Sequence, residues 1–141
     1  SSGTNFSQTW RNCSSLTSFP TIDPSSITLM NRAWQQCTNL TTFPANFFDS
    51  WSPSSVTNSV FHETWGDCPL TAQSVENILT SIDTSGVYGT DTGLSSGTQL
   101  ADAGIDIDYN VATGSLSAAT TAAITSLKSK GWSIFINSVE Q

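Results

Sequence analysis

The pattern Trp-x-x-Cys-x-x-Leu-x-x-Phe-Pro occurs twice in this chain, at Trp10–Pro20 and at Trp34–Pro44, and its first half returns at Trp65-Gly66-Asp67-Cys68-Pro69-Leu70. The first two tryptophans are 24 residues apart. A period of roughly 20 to 50 residues is the signature of stacked units, each too small to bury its own apolar face. The fold class expected is therefore α/β: a short solenoid of parallel strands and short helices.

Within a unit the apolar residues fall at every third position, as in Trp10, Cys13, Leu16 and Phe19. That is neither the alternation of a strand nor the stripe of a helix. It fits a chain that turns corners. Leu16–Phe19 and Leu40–Phe43 read as short parallel strands, ended by Pro20 and Pro44, which cannot donate to a ladder. Cys13, Cys37 and Cys68 read as fillers of a tight corner. Ser25-Ser26 and Ser54-Ser55 follow Pro24 and Pro53, and serine is a good N-cap for short helices carrying Trp34 and Trp65. Trp10, Cys13, Leu16, Phe19, Pro20, Trp34, Cys37, Leu40, Phe43, Pro44, Trp65 and Cys68 form the structural set of the repeat.

Trp34 to Trp65 spans 31 residues, seven more than the first interval. The added length includes Asn46-Phe47-Phe48-Asp49-Ser50-Trp51. Insertions in solenoids gather on one face, often the binding face. Phe47, Phe48 and Trp51 are therefore candidate binding residues, the alternative being that they fold back as core.

After Leu70 the repeat stops. Thr71 caps a helix whose Val75, Ile78, Leu79 and Ile82 share one face. Residues 86–104 read as a strand and turns around Leu94 and Leu100. Ser117 caps a second helix running through Lys130, with Ile124 and Leu127 inward, the lysines complementing the helix dipole and Gly131 as the stop. Trp132–Ile136 reads as a last strand. Residues 1–70 would hold about two and a half coils. Residues 71–141 would be a helix–strand–helix–strand cap, continuous with the repeats in one domain.

Charge removes several partners. The formal net charge is −7, and no Lys or Arg lies between Arg32 and Lys128. Nucleic acid and anionic membrane both require a basic face. No apolar run approaches the roughly 20 residues of a membrane-spanning helix. Charged residues are 11% of the chain, while 44 of its 141 residues are Ser or Thr, an inert hydroxyl-rich surface suited to extracellular or virion settings. The chain opens at Ser1, nine residues before a repeat tryptophan, so a processed terminus or the end of a longer repeat protein is expected.

The chemistry-bearing residues are few. Three cysteines at one repeat position read as free thiols, though stacking could bring one pair within disulfide reach. Asp102, Asp106 and Asp108 could hold Ca²⁺, but in a strand Asp106 and Asp108 share one face, and alternation with Ile105 and Ile107 equally fits a half-buried strand. No other cofactor is expected. His62 next to Glu63 has no nucleophile elbow to serve, and no phosphate-binding glycine motif is present. No catalytic residues emerge.

The pattern of Trp, x-x-Cys, Leu, Phe-Pro, followed by Ser-Ser and Ile27 or Val56, resembles the BspA-like leucine-rich repeats of bacterial and protist surface proteins. In its Trp and Phe-Pro form it is similar to modules of bacteriophage structural, tail-associated proteins. Ser74-Val75-Glu76-Asn77-Ile78-Leu79 and Gly131-Trp132-Ser133-Ile134 resemble their closing segment. Cys68-Pro69-Leu70 departs from the pattern, leaving the third coil incomplete. The resemblance implies a leucine-rich-repeat solenoid and a non-enzymatic structural or recognition module, on a virion, an extracellular appendage or a cell surface. Its partners would be other subunits of an assembly, reached through an uncapped N-terminal coil that could also support an oligomer, or a host receptor or glycan. The alternatives are a bacterial adhesin and a carbohydrate-binding module.

Overall fold

The computed structural model describes residues 4–89 and 103–141. Leu94, Leu100 and Asp102 lie outside the described residues. The chain is α/β, with two helices and a four-stranded mixed sheet in the order β1-β2-β3-β4. The strands are β1 (Phe61–Leu70), β2 (Ala103–Tyr109), β3 (Trp132–Ile136) and β4 (Val139–Glu140), and the helices are α1 (Ala72–Ser85) and α2 (Ala118–Ser129). β1, β2 and β3 run parallel, each pair connected through a helix, and β4 returns antiparallel to β3. The β3–β4 turn has positive φ at both central residues, Asn137 (49°) and Ser138 (63°), the twist a two-residue hairpin needs.

Ahead of the sheet, the Trp-x-x-Cys segments lie against one another through backbone bonds at equivalent positions. Gln8, Trp10 and Asn12 donate to the carbonyls of Asn31, Ala33 and Gln35 at 2.9–3.0 Å. Arg32, Trp34 and Gln36 then donate to His62, Thr64 and Gly66 at 2.8–3.0 Å. The amides between them close tight turns instead: Arg11 donates to Gln8, Cys13 to Trp10, Gln35 to Arg32 and Cys37 to Trp34. This corrects the expected short helices. Residues two before and two after each repeat tryptophan have left-handed backbone, at Gln8 and Asn12, Arg32 and Gln36, Glu63 and Asp67. Left-handed residues interrupt a right-handed helix and turn alternate amides outward, toward the next repeat. The sequence signal for this was weak, since only Asn12 and Asp67 are residue types that favour that conformation.

The expected strands Leu16–Phe19 and Leu40–Phe43 reduce to a single parallel bridge, Ser18 with Thr42, flanked by bonds from Thr41 to Thr17 and from Phe19 to Thr42. Helix α1 closes the outer side of this bridge. Ser74, buried at the start of α1, donates its hydroxyl to the Thr41 carbonyl and accepts from the Phe43 amide, both at 3.0 Å. Asn77, one turn on, donates to the Phe43 carbonyl at 2.9 Å. A helix has no outward backbone donors to offer a strand, so its side chains take that place.

The caps expected of the helices are present. Thr71 accepts the Ser74 amide at 3.1 Å, Ser117 accepts the Thr120 amide at 3.0 Å, and Gly86 and Gly131 take left-handed φ. Lys130 reaches across to α1, where its amine meets the Asp83 carboxylate at 2.7 Å and the Asp83 carbonyl at 2.9 Å. It therefore joins the ends of the two helices in addition to complementing its own.

One core runs from the Trp-x-x-Cys segments through the sheet and both helices. Trp34 and Trp65 are 0% exposed, and the three repeat tryptophans stack face to face, Trp10 on Trp34 at 5.3 Å and Trp34 on Trp65 at 5.7 Å. Phe19, Phe43, Phe47 and Phe48 pack edge-on or offset around them. Phe61 and Trp51 continue the cluster to Trp132 of β3. Val75, Ile78, Leu79 and Ile82 of α1 and Leu127 of α2 are fully buried against it.

Candidate functional site

The β1–β2 pairing is irregular in an informative way. Phe61 faces Ile105, Trp65 faces Ile107 and Leu70 faces Tyr109, so four or five residues of β1 span two of β2. β1 still has the curled backbone of the repeats, whereas β2 is straight. The left-handed residues Glu63 and Asp67 turn their amides outward with no β2 carbonyl to receive them. Two carboxylates do so instead: Asp106 accepts from the Glu63 amide and Asp108 from the Asp67 amide, each at 2.8 Å. Asp106 and Asp108 do share one face of β2, opposite buried Ile105 and Ile107. Their local task is to fit a curled strand to a straight one, which sequence reasoning missed because it depends on the bulges in β1.

These carboxylates line a depression of about 340 Å³ on the outward face of the sheet, together with Gln35, His62, Glu63 and Asp67. Glu63 accepts from Arg32 Nε at 2.6 Å and Gln35 Nε2 at 3.0 Å. His62 Nδ1 is 3.4 Å from Asp106 Oδ2, and His62 Nε2 is 3.8 Å from Glu63 Oε2. The hydrogen bond from Arg32 holds the Glu63 carboxyl below the ordinary glutamate value of 4.5, helped by the charges of Arg32 and His62 and opposed by burial. A carboxyl kept ionised in this way is an ion-pair partner; a general acid would need the opposite shift. No cluster of three or more His, Cys, Asp or Glu side chains with metal-binding geometry occurs among the described residues.

Two measurable consequences follow from the depression. Asp106→Ala strands the Glu63 amide, and should lower stability by about 1–3 kcal/mol, with faster exchange at that amide. Asp106→Asn keeps an acceptor oxygen and should cost less. Urea melts and amide exchange of both variants check this, and wild-type behaviour of Asp106→Ala would contradict it. The second concerns acid. The folded carboxyl value of Glu63 lies below its unfolded one, so its ionised form stabilises the fold above about pH 4.5, and that contribution is lost as pH falls through the lowered value. The Arg32 and Glu63 side chains are 38% and 41% exposed, so solvent screening limits the pair to about 0.2–1 kcal/mol. Arg32→Gln should cost that much at neutral pH and nothing once the carboxyl is protonated, as urea midpoints across this range would show.

Phe47, Phe48 and Trp51 are 1%, 0% and 1% exposed. Their rings pack on Phe43, Phe61, Trp65 and Trp132, and the Trp51 indole N–H donates to the buried Ile27 carbonyl at 2.8 Å. The binding platform expected of this insertion is therefore corrected to core: a ring without a free face cannot stack on a ligand. The extra residues widen the second repeat, filling the space between repeats and cap.

The three cysteines are free thiols. Each of the two inner ones is more than a filler. Cys37 donates to the Trp10 carbonyl at 3.0 Å and Cys68 to the Trp34 carbonyl at 3.1 Å, so each thiol bonds to the tryptophan of the preceding repeat. Burial pushes the Cys68 thiol up to about 12, which keeps it a donor and unreactive. Cys13, in the first repeat, is half-buried.

No family model, no curated protein and no solved structure matches the chain.

Proposed function

We propose that this chain is a non-enzymatic structural or recognition module of a phage virion or extracellular appendage, acting through protein–protein contact or adhesion to a host surface. Its finer architecture, on this reading, is a short leucine-rich-repeat-like solenoid closed by the α1–β4 segment. The observation that carries the reading is the backbone bonding between repeats, the same from the first to the second as from the second to the third. Such a stack offers side and end surfaces to other chains without requiring a cleft. The hydroxyl-rich surface, with few charges, supports an exposed setting, and the outward carboxylates of Asp106 and Asp108 are taken up by backbone amides. A bacterial cell-surface adhesin of the same architecture is the alternative. The carbohydrate-binding reading has lost its aromatic platform to the core.

Antibody raised against the folded chain should decorate assembled particles or appendages in electron micrographs, or the outside of intact cells if the adhesin reading holds. Labelling confined to the cell interior would contradict both.

A further inference from the structure

We propose that the outward face shared by the repeats and the sheet is a self-association surface, on which Arg11 of one copy enters the acidic depression of a second. Pairing of this kind goes beyond the virion and adhesin readings and does not rest on either. The charges of this face are sorted along it. Arg11, Gln35 and Gly66 each follow a repeat tryptophan, while Asn12, Gln36 and Asp67 lie two residues after one. Backbone bonds between repeats hold these equivalent positions in register, in rows one strand spacing apart. Gln35, Glu63 and Asp67 line the depression, which places the equivalent Arg11 on the same face. Both arginines of the chain thus lie at one end of the face, and Glu63, Asp67, Asp106 and Asp108 at the other.

Arg32 is taken by Glu63 at 2.6 Å. Arg11 bonds only to the exposed Gln8 side chain, at 3.2 Å, and among the described residues no carboxylate lies within ion-pair distance of it. Asp67 is exposed, and its carboxylate has no ion-pair partner among the described residues. Arg11 and Asp67 of one copy are two strand spacings apart, roughly 10 Å, too far to meet. A two-fold axis lying in the face along the strands brings Arg11 of each copy over Asp67 of the other, so the pairing forms twice. The depression, about 340 Å³, has room for the arginine side chain. Asp106 and Asp108 each accept a backbone amide through Oδ2, leaving Oδ1 for a guanidinium. A different basic protein would satisfy the carboxylates but leave Arg11 unpaired; a second copy satisfies both. Each copy carries a formal charge of −7, which opposes association and keeps the contact weak.

Sedimentation equilibrium of the whole chain, up to about 1 mM protein, tests this. The wild type should self-associate. Arg11→Asp and Asp67→Arg should each weaken self-association about tenfold or more, because each sets like charges together twice. Both positions are exposed, and Gln36 already carries a long side chain with the same left-handed backbone at the position equivalent to Asp67, so both variants should melt as the wild type does. Overall repulsion predicts differently, since Asp67→Arg reduces the formal charge by two units, from −7 to −5, and would strengthen association. The equimolar mixture of the two variants should recover wild-type association, because each introduced charge then faces its opposite. A wild type that stays monomeric would overturn self-association at this face. So would variants that associate as the wild type does, or a mixture no more associated than its components. Labelling of particles or cells does not depend on any of these outcomes, so the two failures are separable.

Discussion

Trp34→Ala should lower stability by about 3–5 kcal/mol, enough to unfold a domain of ordinary stability. Trp34 is 0% exposed, with one indole stacked on each face, and Phe19, Phe43 and Phe47 meet it edge-on. Truncation would leave a cavity bounded by rings from three repeats, which cannot collapse without breaking the backbone bonds that set the repeat spacing. Trp34→Phe is the discriminating companion. The Trp34 indole N–H is buried with no acceptor, so phenylalanine removes an unpaired donor while keeping a ring in the stack. Its cost should be far smaller than that of alanine. Trp10→Ala should also cost less, because Trp10 is only half-buried. Urea denaturation of the three variants orders them, and a Trp34→Ala protein as stable as Trp10→Ala would mean that the indoles are not stacked in series.

Trp51→Ala should be nearly as damaging, again about 3–5 kcal/mol, without removing any ligand-binding surface. Trp51 packs on Phe48, Phe61 and Trp132, and so links the insertion of the second repeat with β1 and β3. Its loss also strands the buried Ile27 carbonyl. Because the ring bridges repeats and cap, repeats and cap should melt together in this variant at a lower denaturant concentration. Tryptophan fluorescence follows mainly the repeats, which hold Trp10, Trp34 and Trp65 beside Trp132 of β3, and far-ultraviolet circular dichroism follows the helices. Separate transitions in these signals would indicate two independent cores.

The sequence disclosed the parts of this fold that depend on local rules. Thr71 and Ser117 are strong N-caps, the Val75–Ile82 stripe has helical period, and Trp132–Ile136 alternates, so both helices and β3 were legible. The repeat was legible as a repeat, but its backbone was not. Left-handed φ at Gln8, Arg32, Gln36 and Glu63 has no local sequence signature; those residues are held there by hydrogen-bond partners 23 to 43 positions away. The same non-locality hid the depression. Asp106 and Asp108 look like an exposed carboxylate pair until the curl of β1 brings the Glu63 and Asp67 amides to them. Phe47, Phe48 and Trp51 fell off the repeat pattern, and that was compatible with both surface and core. Only the third dimension, which sets Trp132 beside them, decides for the core.

Amides of one repeat donate to carbonyls of the next, and carboxylates take over where the straight strand begins. Through-hydrogen-bond scalar couplings in a labelled sample test this most directly. They should connect the Trp10 nitrogen with the Ala33 carbonyl carbon, the Trp34 nitrogen with that of Thr64, and the Glu63 nitrogen with the Asp106 side-chain carboxyl carbon. Couplings from Trp34 back to Met30, as in a helix, with none to Thr64, would contradict the stacked arrangement.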